Sequence, residues 1–158
     1  MALYSSKTIA KVCQTALRAV EARQRGNKWV SIGGHKFDLE TGGYCCRYVR
    51  QVFEATLGLG EREWRFGSPS ATETLTKLEE CGFKLKPHVE LRAGDIIGHK
   101  EGRFGHIGVV VGDAYGDGRF LYCENTIAHR GSPNEPGTKV TRVSDWPGPL
   151  LKYRLGPS

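Results

Sequence analysis

The chain has 158 residues and a formal net charge of +6, from 23 lysines and arginines against 17 aspartates and glutamates. That length suits one domain with a real core, so residues 1–158 read as a single unit. No long uncharged apolar run is present, which excludes a membrane-spanning helix, and residues 1–11 lack the apolar stretch of a signal peptide, so synthesis in the cytoplasm is expected. A basic balance favours polyanionic surfaces. The basic residues, Arg18, Arg47, Arg50, Lys84 and Arg142 among them, are nevertheless scattered with no run of four, which argues against nucleic acid as a partner. Five cysteines (Cys13, Cys45, Cys46, Cys81 and Cys123) are an odd count, so a fully paired disulfide framework is excluded.

In chain order, the first predicted helix runs over Ser6–Gln24. Ser5 or Ser6 caps it, Ile9, Val12, Cys13, Ala16, Leu17 and Val20 form its apolar stripe, and Gly26 ends it. A glycine-rich loop over residues 33–43 follows and leads into a second helix, Cys45–Leu57, stopped by Gly58. Cys45, Tyr48, Val49, Val52 and Phe53 share one face of that helix. Ser70 to Glu73 reads as a capping box opening a third helix, which buries Leu75 and Leu78 before Gly82. After Pro87 the pattern changes to short β-runs at 95–98, 106–111, 120–123, 139–143 and 150–155, separated by Gly, Asp and Pro turns. Helices first and strands later indicate an α+β domain with an antiparallel sheet packed on the helices.

The chemistry concentrates where the second helix begins. A helix N-terminus stabilises a thiolate, and its first N–H groups can bind an oxyanion. Cys45 holds that place directly after Gly42-Gly43-Tyr44 and is the candidate nucleophile; Cys46, about 100° around the helix, is the rival and reads as a packing residue. His106 opens the apolar run His106-Ile-Gly-Val-Val-Val111, where an ionisable group needs a partner, and a thiol supplies one. The strand after the 113–118 turn pairs with that run as a hairpin and brings Glu124 and Asn125 near the site. They face opposite sides of the strand, and either can orient the imidazole. A zinc site from Cys45, Cys46, His99 and His106 lacks the usual ligand spacing, and no metal or cofactor is called for. Trp29, Trp64, Trp146 and the six tyrosines read as core or rim residues, and His35, His88 and His129 as surface histidines.

The segment Gly43-Tyr-Cys45-Cys-Arg-Tyr-Val-Arg-Gln-Val-Phe53 resembles the nucleophile helix of the NlpC-type cell-wall peptidases and the related CHAP amidases. Gly94-Asp-Ile-Ile97 and Gly105-His-Ile-Gly-Val-Val-Val-Gly-Asp113 are similar to their Gly-Asp strand and histidine strand, and residues 120–125 to the strand carrying the third polar residue. The match spans residues 42–126 in the family's order of cysteine, histidine and polar residue. It departs in having Tyr44-Cys45-Cys46-Arg47 where Asp-Cys-Ser-Gly is usual, and adjacent Glu124 and Asn125 where CHAP members often show Glu-x-Asn. The resemblance implies a papain-like fold and a monomeric cysteine hydrolase that cuts stem-peptide bonds of peptidoglycan. Its catalytic set would be Cys45, His106 and Glu124, with Asn125 as the alternative third member. A phage lysin released at lysis, or a toxin delivered by a secretion machine, fits that reading. The competing expectation is a non-catalytic basic module that holds an anionic wall polymer or nucleic acid.

Overall fold

In the computed structural model, which describes residues 2–127 and 136–158, the Ser5 hydroxyl accepts a hydrogen bond from the Thr8 amide and starts helix α1 (Ser6–Gln24). The buried face of α1 is built from small residues: Val12, Thr15, Ala16, Ala19, Val20 and Ala22. Small side chains let a second helix approach closely. That helix, α2 (Cys45–Leu57), reaches across with the Tyr48 hydroxyl, which donates to the Ala16 carbonyl at 2.8 Å. Gly58 in the left-handed conformation terminates α2, as the sequence suggested.

Between the two helices lies an element that the sequence reading took for a loop. Strands β1 (Trp29–Ile32) and β2 (His35–Asp38) pair antiparallel, turning at Gly33-Gly34. Both glycines have positive φ, 56° and 80°, which a tight hairpin with the twist of its strands requires. The hairpin also corrects the reading of His35. That residue is buried, with Nε2 2.7 Å from the Leu59 carbonyl and Nδ1 3.8 Å from Glu54, whereas His88 is exposed as expected; His129 lies outside the described residues.

Helix α3 (Ala71–Glu80) begins where the Ser70 side chain accepts the Glu73 amide and buries Ala71, Thr74, Leu75 and Leu78. The remainder is an antiparallel sheet of β3 (Ile96–His99), β4 (His106–Gly112), β5 (Leu121–Thr126), β6 (Gly137–Arg142) and β7 (Leu151–Tyr153). Their spatial order is β6-β5-β4-β3-β7, so the strand that starts with His106 is central. All seven residues of β4 are buried, as befits a strand covered on both faces. The chain is therefore α+β, with the helical half first and the sheet second.

The main core lies between α1, α2 and the sheet. Val49, Val52 and Phe53 of α2 are fully buried with Ile107, Val109 and Cys123. Burial of each such side chain contributes roughly 1.5–3 kcal/mol, which locks α2 and its first residue against β4 and β5. The face of α2 turned from the sheet is buried too, by the segment carrying Trp64 and Phe66, so Arg50, Gln51 and Glu54 lie inside. No helix among the described residues is long and apolar enough to cross a membrane.

Candidate active site

The start of α2 is held from the sheet. Asn125, on β5, accepts the Tyr44 amide at 2.8 Å through Oδ1 and donates through Nδ2 to the Thr41 carbonyl at 2.8 Å and to Thr138 Oγ1 at 3.2 Å. One side chain thus ties both ends of the 41–44 turn to the strand. Gly42 completes the fit: a Cβ there would lie 2.3 Å from the Thr126 carbonyl oxygen, so only hydrogen is tolerated where the turn crosses β5. Tyr44 caps the helix with its backbone alone and makes no side-chain capping bond. The first-turn amides of α2 are therefore placed to receive an anion.

Cys45 is the first residue of that turn and lines a cleft of about 390 Å³ together with His106, His99, Phe104, Asn125 and Ile127. Phe104 and Ile127 are 56% and 67% exposed and give the cleft apolar lips. Tyr44, just before Cys45, lies under the Arg47 guanidinium at 4.1 Å. Burial pushes the Cys45 thiol up to about 12, with Cys46 and Glu124 adding to it. Backbone hydrogen bonds from Ile107 and Cys46 pull it part of the way back and place the sulfur against the head of β4.

His106 is fixed from several sides. Its Nε2 lies 2.6 Å from Glu124 Oε1, and the other carboxylate oxygen of Glu124 accepts from Thr141 Oγ1 at 2.6 Å. Glu124 is fully buried, so its charge depends on these partners. Trp146 stacks on the imidazole with centroids 5.2 Å apart and planes 29° apart, and His99, directly opposite on β3, packs at 5.9 Å. The His99 ring is held in turn: its Nδ1 accepts the Glu101 amide at 3.2 Å and its face meets Trp146. Burial and the neighbouring His106 push the His99 pKa below its ordinary value.

The two candidates for the third position thus have different work. Glu124 touches the imidazole; Asn125 points to the other side of β5 and supports the turn before Cys45. Cys46, the rival thiol, is buried and turned away, with Sγ 3.2 Å from both the Ser68 carbonyl and Thr74 Oγ1. Among the described residues no group of three or more His, Cys, Asp or Glu side chains is arranged to hold a metal ion. Thr141 escaped the sequence reading, which took Trp146 for a core or rim residue and weighed His99 only as a zinc ligand. The register partner of His106 on a neighbouring strand would have suggested His99, but Trp146 follows a short 3₁₀ turn (Val143–Asp145) and reaches the site only through tertiary packing.

This arrangement can perform nucleophilic chemistry: a thiol at a helix N-terminus, a histidine in the same cleft and a buried carboxylate that orients the ring. No protein-family model matches the chain, and no curated protein matches it.

Proposed function

We propose that the protein is a papain-like cysteine hydrolase that cleaves peptide or amide bonds of bacterial peptidoglycan. The observation that carries this reading is the meeting of Cys45 and His106 in one cleft, with His106 bonded to the buried Glu124. Glu124 engages Nε2, so the proton-transfer role toward the thiol falls to Nδ1. Because burial holds the Cys45 thiol up to about 12, the thiol keeps its proton at rest, and proton transfer accompanies attack. Sγ bonds to the substrate carbonyl carbon while its proton passes to His106. The carbonyl oxygen becomes an oxyanion facing the first-turn amides of α2. Collapse expels the amine, which takes the proton from His106 and leaves a thioester on Cys45. Water, deprotonated by His106, then releases the carboxylic acid and restores the thiol.

The wall as substrate rests on the resemblance of residues 42–126 to NlpC-type and CHAP enzymes, and the +6 charge suits an anionic wall. Action there would follow lysis-linked release or delivery by a secretion machine. Incubation with purified peptidoglycan, followed by mass analysis, tests the proposal through fragments with new amino and carboxyl ends.

One observation favours the alternative of a non-catalytic module binding anionic polymer: a thiol raised to about 12 is a poor nucleophile by itself. Iodoacetamide separates the two readings. A hydrolase loses activity as Cys45 is alkylated and keeps it in EDTA; a binding module retains its polymer affinity after alkylation.

A further inference from the structure

On the side of α2 turned away from Cys45, a second pocket of about 420 Å³ is lined by Arg47, Arg50, Arg62, Gly67, Ser68 and Pro69. Three arginines lining one space is an arrangement that mutual repulsion opposes unless something compensates it. The compensation within the protein is partial. Arg50 is buried, and its Nη1 is engaged by Glu54 Oε1 at 2.6 Å, but its Nη2 is 3.9 Å from the carboxylate of Glu61, a residue with a largely exposed side chain. Arg47 is 3.7 Å from Asp38. Arg62 makes no ion pair with any described residue.

Two details of the backbone show that the pocket is built. Gly67 runs along the Arg50 side chain so closely that a Cβ would lie 2.8 Å from Arg50 Cδ, so glycine at this point lets the guanidinium reach the pocket. Arg62 is the one described non-glycine residue with positive φ, 66°. It sits in a turn closed by the Glu63 amide on the Gly60 carbonyl at 3.2 Å and by the Gly60 amide on Glu63 Oε1 at 2.6 Å. Glycine or asparagine suits such a position better, so the turn carries a strained residue whose side chain lines a cationic pocket.

We infer that this pocket is a binding site for a phosphate group, free or carried as a monoester. Three arginines, two from α2 and one from the 60–63 turn, suit the several oxygens of a tetrahedral anion better than the two of a carboxylate. Glu61 serves as the resident counter-charge, and the incoming phosphate replaces it on Arg50 Nη2. The site lies on the far face of α2 and does not require the hydrolase reading to be correct.

The test is phosphate-dependent thermal stabilisation of the full chain. Sodium phosphate and glycerol 1-phosphate are each compared with sodium chloride and sodium acetate at matched ionic strength. Phosphate should raise the melting temperature above the chloride and acetate controls, and the glycerol 1-phosphate arm separates an ester-borne group from a free anion. Arg62→Gly relieves the backbone strain while removing the guanidinium, so it should melt no lower than the parent yet lose most of the phosphate-dependent rise. Glu61→Gln removes the competing carboxylate and should tighten phosphate binding several-fold by titration calorimetry. A phosphate effect no larger than that of acetate or chloride, or one that survives in Arg62→Gly, overturns the inference, as does weaker binding in Glu61→Gln.

Discussion

The outer face of α2 and strand β5 bury charge in different ways. On the face away from the sheet, Glu54 is fully buried and its carboxylate takes Arg50 through Oε1 and the Trp64 amide through Oε2, with His35 at 3.8 Å. That cluster staples the hairpin, the helix and the 59–68 segment, and its acidic hub has no contact with the cleft. On β5, Glu124 is equally buried, but its main partner is His106, which opens onto the cleft beside Cys45. A buried carboxylate therefore marks structure when its main partner is a permanently charged guanidinium. It marks a candidate site when one partner is a titratable group at a cleft wall.

That contrast separates loss of function from loss of fold. The largest expected effect is at Cys45: Cys45→Ala should lower hydrolysis by about 10⁴-fold or more with an unchanged melting curve. Cys46→Ala should keep most activity and cost about 1 kcal/mol through its lost hydrogen bonds. Turnover and thermal melts measure both, and loss only in Cys46→Ala would reassign the nucleophile.

On the structural face, Glu54→Ala leaves Arg50 buried without its partner and should destabilise by about 3–5 kcal/mol in denaturant unfolding. Activity per folded molecule should change little. A stable Glu54→Ala protein with slow turnover would mean that the two regions are not separable.

Within the site, Glu124→Ala should reduce turnover about 10²-fold or more, because the imidazole loses its orienting acceptor. Asn125→Ala should act mainly on stability, by about 2 kcal/mol, since three hydrogen bonds to the 41–44 turn and β6 are lost. Turnover beside thermal melts decides between them, and a larger turnover loss at Asn125 reverses the assignment.

A smaller effect should appear with pH. Burial raises Cys13 to about 11 and Cys45 to about 12, both from 9.0. Below about pH 9 the thiols are protonated in folded and unfolded chains alike, and their full contribution to stability is present. Above it the unfolded chain releases protons that the native state retains, so stability falls as pH rises toward 11–12. Cys45→Ala should show a shallower decline than the parent between pH 9 and 11, by at most about 1.4 kcal/mol per pH unit. Parallel curves would show that Cys45 is not a buried neutral thiol.

The sequence carried the helices well because their ends are local chemistry: Ser5 and Ser70 act as caps and Gly58 as a stop. It missed the β1–β2 hairpin because only four residues flank Gly33-Gly34 on each side, and their alternation is weak. Strand β5 runs to Thr126, beyond the apolar run that ended at Cys123, because Glu124, Asn125 and Thr126 are polar yet buried. Cys45, His106 and Glu124 were legible as candidates, with Asn125 as the alternative, and the register of β5 against β4 sets Glu124 beside His106. The burial of His35 against Glu54 and the stacking of Trp146 on His106 come from contacts distant in the chain, which local patterns do not encode.

The most direct test of the account is digestion of purified peptidoglycan by the parent protein, with Cys45→Ala as control, followed by mass spectrometry of the released fragments. The expected result is fragments heavier by one water per cut, with new amino and carboxyl ends in the stem peptide, absent from the Cys45→Ala digest and unaffected by EDTA. Intact stem peptides after prolonged digestion, or equal release by Cys45→Ala, would contradict it.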